Sequence, residues 1–174
     1  VAAAEAYDEV NGTRFSEAIL GEEDDPQRVQ ALGEEASSLL LSMAGADDEK
    51  LRSNAILALG AVDDHQSRRA VLLALMDPSA KVRAGAARAA AEANMTVAAD
   101  CIASAMEIEE NRGTRMEFVR ALAALGGDTA LDKLERMLTD RSASVRVEAA
   151  AALDVLGKSQ WRTASPRVQW RAAR

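Results

Sequence analysis

DPSAKVRAGAARAA (residues 77–90) and DRSASVRVEAAAALDVLG (140–157) open alike, with an aspartate, a serine two places on, and a valine–arginine pair leading into an alanine-rich run. Working outward from Val82 and Val145, looser copies stand at Leu51 and Thr114, so the anchors recur at intervals of 31, 32 and 31 residues. A fixed period of this size is the signature of stacked supersecondary units. An arginine follows every anchor: Arg52, Arg83, Arg115 and Arg146. Three places before each anchor stand Asp48, Ser79, Asn111 and Ser142, side chains that accept hydrogen bonds from the exposed N–H groups of a helix start. After the anchors come Ala55, Ala86, Phe118 and Ala149, then Ala58, Ala89, Ala121 and Ala152, then Leu59, Ala90, Leu122 and Leu153. These positions fall on one side of a helix and predict its buried face. Asp63, Asn94, Gly126 and Gly157 follow, residues that tolerate the left-handed backbone ending a helix.

Shorter second helices are expected between these. They run over about 65–76 with Val71, Leu72 and Leu75 inward, about 95–108 with Val97, Cys101, Ile102 and Ala105 inward, and about 128–138 with Leu131, Leu134 and Leu138 inward. Each repeat is then a helical hairpin that cannot bury its apolar face alone, and stacking gives an all-α α-solenoid, a right-handed superhelical slab of antiparallel hairpins. The composition agrees: 38 alanines and 18 leucines among 174 residues, against three prolines, favour helices and exclude a β-sandwich or barrel. The expected organisation is a single solenoid domain with an acidic N-terminal cap (1–46), a repeat core (47–157) and a basic tail or closing helix (158–174). In the cap, Asp25-Pro26 opens a helix carrying Ala36, Leu39, Leu40 and Met43 inward to Gly45. Residues 13–21 read as a degenerate arginine helix, since Gly12-Thr13-Arg14-Phe15 echoes Gly113-Thr114-Arg115-Met116. In the tail, 158–165 reads as loop and Ser165-Pro166 as a helix start.

The segments 77–90 and 140–157, with 47–60 and 112–140 more loosely, resemble HEAT repeats, in the short HEAT-like form of phycobilisome lyases. The resemblance covers residues 47–157 and implies a ladder in which the aspartate ending one helix pairs with the arginine opening another. Asp77 and Asp140 match that pattern, Glu109 substitutes for it, and Ala46 with Asp47 beside it departs from it. It also implies two functional alternatives: a lyase-type subunit handling a tetrapyrrole, and a nucleic-acid binder resembling HEAT-like DNA glycosylases.

Charge weighs against the second. The net −7 divides into −9 over residues 1–60, −3 over 61–157 and +5 over 158–174. Nucleic-acid affinity comes largely from basic side chains on phosphates, and Glu92, Glu117 and Glu148 fall on the expected partner-facing, concave side of the arginine helices, opposite the buried stripe. One cysteine, Cys101, forms no internal disulfide, and one histidine, His65, builds no histidine-based metal site. No cofactor is expected, no catalytic set is evident, and His65 reads as a surface residue at a helix start. Met43, Met76, Met95, Met106 and Met137 read as core filling. No apolar run reaches the length of a membrane span, and a cytoplasmic protein is expected, with a processed secreted form as the alternative.

The expected partner is another protein. Leu57, Met116, Val147 and Val155 fall on the outward face of the arginine helices beside Arg88, Glu92, Glu117, Arg120 and Glu148, an apolar patch with charged flanks that forms the first candidate contact. Trp161 and Trp170 lie among the five basic residues of the tail and form a second candidate contact. Self-association is a third expectation, the basic tail of one copy meeting the acidic start of another.

Overall fold

The computed structural model describes residues 26–157, with side chains from Gly33 onward; the expectations for 1–25 and 158–174, Trp161 and Trp170 included, lie outside the described residues. Within them all regular structure is helical, and the helices fall into two compact units that divide between Ala93 and Asn94. The first unit contains α1 (Pro26–Ala44), α2 (Glu49–Gly60), α3 (His65–Ala74) and α4 (Ala80–Glu92). The second contains α5 (Ala98–Ile108), α6 (Arg112–Leu125), α7 (Gly127–Met137) and α8 (Ala143–Val155).

Within each unit like helices stack on like. The arginine helices α2 and α4 pack most broadly in the first unit, where α1 also packs on α3; in the second, α6 packs on α8 and α5 on α7. Helix starts follow local chemistry. Asp48 accepts from the Leu51 N–H at 2.8 Å, a bond that holds its carboxyl below the usual range, and Asn111 accepts from the Thr114 N–H at 3.1 Å. Ser79 and Ser142 depart from the expectation and make no side-chain cap. Their backbone N–H groups instead donate to Asp77 and Asp140, each at 2.7 Å, because the aspartate two residues earlier already turns back onto the chain. Asn94, Gly126 and Gly157 take positive φ (49°, 68° and 69°) at the helix ends; Asp63, the fourth member of that set, does not.

The two cores are filled differently. In the first unit Leu40, Leu59, Val71, Leu75 and Val82 surround a seam of Ala55, Ala86 and Ala90. There α2 and α4 come so close that a Cβ added at Gly60 would stand 2.8 Å from the Ala89 Cβ, and one at Gly85 would stand 3.0 Å from the Ser53 Oγ. In the second unit Phe118, fully buried, takes the place of alanine, with Ile102, Leu122, Leu134, Val145 and Leu153 around it.

Four inward assignments are overturned. Leu39 of α1 is exposed, while Ala36 and Leu40 are the buried residues among the described side chains of that helix. Val97 precedes the helix it was expected to join and is exposed. Cys101 is exposed as well, because the buried row of α5 is Ala98, Ala99, Ile102, Ala105 and Met106. That row centres on the direction of Ile102, and one residue back along a helix turns a side chain about 100° away. Met76, beyond the end of α3, is exposed rather than core. His65 is the exposed first residue of α3, following Asp64.

Candidate interaction site

The four anchor arginines share one backbone geometry. Each Nη1 donates to the carbonyls six and five residues upstream: Arg52 to Ala46 and Asp47, Arg83 to Asp77 and Pro78, Arg115 to Glu109 and Glu110, Arg146 to Asp140 and Arg141. The other edge of the guanidinium reaches forward. Arg52 Nε and Nη2 meet Asp77 in a bidentate pair at 3.0 Å each, and the bonded carboxylate holds the guanidinium above its ordinary value. Arg115 meets Asp140 likewise at 3.0 and 3.3 Å. Such forked pairs are the strong class of charge-assisted hydrogen bond. Arg115 and Asp140 are nearly sealed from solvent, with side chains 5% and 8% exposed, whereas Arg52 and Asp77 keep 15% and 13%. Glu109 receives the Asn111 N–H at 2.7 Å, the same turn that Asp77 and Asp140 make with shorter side chains.

The second helices carry links of their own. In α3 the Asp64 carboxylate accepts from the Gln66 and Ser67 N–H groups, from the Ser67 hydroxyl, and from Ser37 of α1 at 3.2 Å. Burial pushes this carboxyl up, but the bonds outweigh burial and hold it below the usual range. In the second unit the buried Lys133 ammonium of α7 bonds Glu107 of α5, which depresses the Glu107 carboxyl.

The outward face of α2 and α4 forms an open cleft of about 820 Å³ in the first unit. Leu57, Ala58, Ala61, Val62 and Ala93 give it an apolar lining, and Asn54, Asp63, Arg68, Arg88 and Glu92 supply polar groups. Leu57, Arg88 and Glu92 of the expected contact set therefore come together here. Asn54, Asp63 and Arg68 are not among the expected contact residues, and Asp63 reads in the sequence as a helix stop. Asp63 lies in the α2–α3 turn and Arg68 in the first turn of α3, and five residues apart in sequence they carry no helical-face signal, yet they form an ion pair.

The corresponding face of α6 and α8 differs. Arg120 donates to Glu148 and to Glu117, each at 2.7 Å, so its charge is taken up within the unit and its guanidinium is held above its ordinary value, chiefly by Glu148. Val147 and Val155 are exposed beside this triad, and Met116 is half-buried rather than exposed. The expected patch flanked by two available arginines thus divides into a cleft around Arg88 and an apolar stripe beside a braced Arg120.

Stacked helical hairpins with a repeating arginine register define an α-solenoid repeat protein. Residues 69–154 match the family described as HEAT repeats, which supports that family for this stretch. Among solved structures, the crystal structure of an engineered protein is similar over 98% of this chain and 85% of its own, with 19% identity and a TM-score of 0.54, a likeness of fold alone. No curated protein matches the sequence. No described helix is long and apolar enough to cross a membrane.

Proposed function

We propose that the protein is a non-catalytic adaptor that holds a partner polypeptide against the outward face of its arginine helices. HEAT-repeat folds typically serve as protein-interaction scaffolds, and the observation that carries the reading is the cleft between α2 and α4. Its lining mixes aliphatic side chains with charged ones, so a polypeptide segment can be held there by apolar contact and by polar groups together. Leu57 at the cleft is the central contact, with Arg88 and Glu92 at its polar positions. In the second unit Met116, Glu117, Arg120, Val147, Glu148 and Val155 offer a further surface. The ladder residues Arg52, Asp77, Arg83, Arg115, Asp140 and Arg146 are structural in this reading, since their bonds run to turns and neighbouring helices.

The test is capture of a partner from native lysate, its identification by mass spectrometry, and reconstitution with the purified partner. A Leu57→Asp variant that melts as the wild type does is expected to lose the reconstituted complex. If this variant and a Val147→Asp variant both bind as tightly as wild type, the adaptor face has been misassigned.

A further inference from the structure

Within each unit an arginine helix meets the next on the side that carries the residues two and six places after its anchor. In α2 these are Ser53 and Leu57: a Cβ added at Gly85 of α4 would stand 3.0 Å from the Ser53 Oγ and 3.8 Å from Leu57, and Ser53 is 3% exposed. In α6 they are Met116, half-buried, and Arg120, which bonds Glu148 of α8. In α8 they are Val147 and Ala151, and among the described residues no arginine helix follows. Val147 is 50% exposed, Ala151 is exposed, and Val155 is 85% exposed. Spaced by four, the three form one stripe on the helix surface. The end of a helical array needs a polar outer face to stay soluble, so an apolar stripe in this place calls for a cover.

Charge selects the cover. From Val147 to Val155 the charged residues are Glu148 and Asp154, two acids and no base. A second copy laid on this stripe about a two-fold axis would bring acid against acid. The chain itself carries the complement. Residues 158–174 begin just beyond Leu156 and Gly157, and they hold Lys158, Arg162, Arg167, Arg171 and Arg174, no acid, and both tryptophans of the protein, Trp161 and Trp170. Gly157, with φ 69°, turns the chain out of α8 immediately before them. The stripe spans about 12 Å, well within reach of a segment of that length, and a tethered segment competes at high effective concentration. We infer an intramolecular cap: the basic, tryptophan-bearing segment 158–174 lies over the Val147–Ala151–Val155 stripe, with its aromatic rings on the valines and its cations toward Glu148 and Asp154. Glu148 accepts one bond from Arg120 and keeps lone pairs for another donor. The cap does not rest on the adaptor reading; a partner reaches this face of the second unit by displacing the tail, and the cleft of the first unit stays open.

Because both tryptophans lie in the tail, tryptophan fluorescence of the full chain reports on that segment alone. Wild type should emit well to the blue of a synthetic 158–174 peptide and be quenched several-fold less by acrylamide, at every protein concentration. Val147→Asp combined with Val155→Asp changes only exposed positions and should leave the helical circular dichroism intact, while emission and quenching move to those of the free peptide. Arg162→Glu combined with Arg171→Glu alters no described residue and should move them the same way, by setting acid against Glu148 and Asp154. Val97→Asp, at another exposed valine of the second unit, should move neither. Wild-type emission equal to that of the peptide overturns the cap, as does blue emission that survives in both double variants. Blue emission lost on dilution, with a dimer in light scattering, overturns it in favour of a second copy. None of these readouts involves Leu57 or the cleft, so the adaptor reading stands or falls separately on its own Leu57→Asp variant.

Discussion

The α2–α4 pair of the first unit and the α6–α8 pair of the second are built on one register and filled in opposite ways. In the first, Gly60, Gly85 and small side chains bring two backbones together until there is no room for an added Cβ. In the second, Phe118 stands where the other copies have alanine, and a buried Arg115–Asp140 fork lies nearby. The difference teaches that the repeat specifies caps, turns and the arginine, while the space between helices is negotiated pair by pair. Shape complementarity, rather than any particular side chain, closes each core.

The comparison is easiest to break at its bulkiest member. Phe118→Ala should cost about 3–5 kcal/mol in urea denaturation, because no glycine-like approach of α6 and α8 exists to collapse the void. Arg115→Ala should cost a similar amount, about 3–5 kcal/mol, since it leaves Asp140 buried without its counter-charge; Arg52→Ala, whose partner is wetter, should cost clearly less. Equal losses for the two arginines would show that burial does not distinguish the rungs. Gly60→Val should lower stability by about 1–3 kcal/mol through overpacking against Ala89, and an unchanged melt would show that α2 and α4 separate at no cost. Asp64→Ala should cost about 1 kcal/mol as a lost helix cap, readable as a small drop in melting temperature.

The smallest effect is one of pH. Glu107 and Asp64 have carboxyls lowered in the folded state, so the stability they contribute is complete above the ordinary carboxylate range and is lost as pH falls through their folded values. Melting temperature should fall with acidification, and Glu107→Gln should flatten part of that slope while leaving Asp64 and Asp48 to contribute to the remainder. A variant with the wild-type slope would remove Glu107 from the account.

Much of this fold is written in short-range signals. Asp48 and Asn111 cap as their residue type dictates, and Asn94, Gly126 and Gly157 turn left-handed at the predicted stops. The second helices were harder to read. In α5 the alanines on both flanks of Ile102 blur the edge of the apolar stripe, and the side on which Cys101 falls depends on where the helix begins. The candidate site was legible in part: Leu57, Arg88 and Glu92 share a face by helical spacing, but whether an arginine there is free or braced depends on an acid about 28 residues away, as Glu148 is from Arg120. No local pattern encodes that distance.

The anchor arginines act as rulers. Each grips the carbonyls five and six residues upstream, so the stretch of chain entering every arginine helix has a fixed length, and one codon added or deleted there would pull a guanidinium off its carbonyls. The turns that leave those helices carry no such gauge: four residues separate α2 from α3, and one separates α6 from α7. Insertions and deletions should therefore accumulate on the exit side of the arginine helices and be purged on the entry side. That polarity would let a genetic insertion scan recover the repeat frame without any structural measurement.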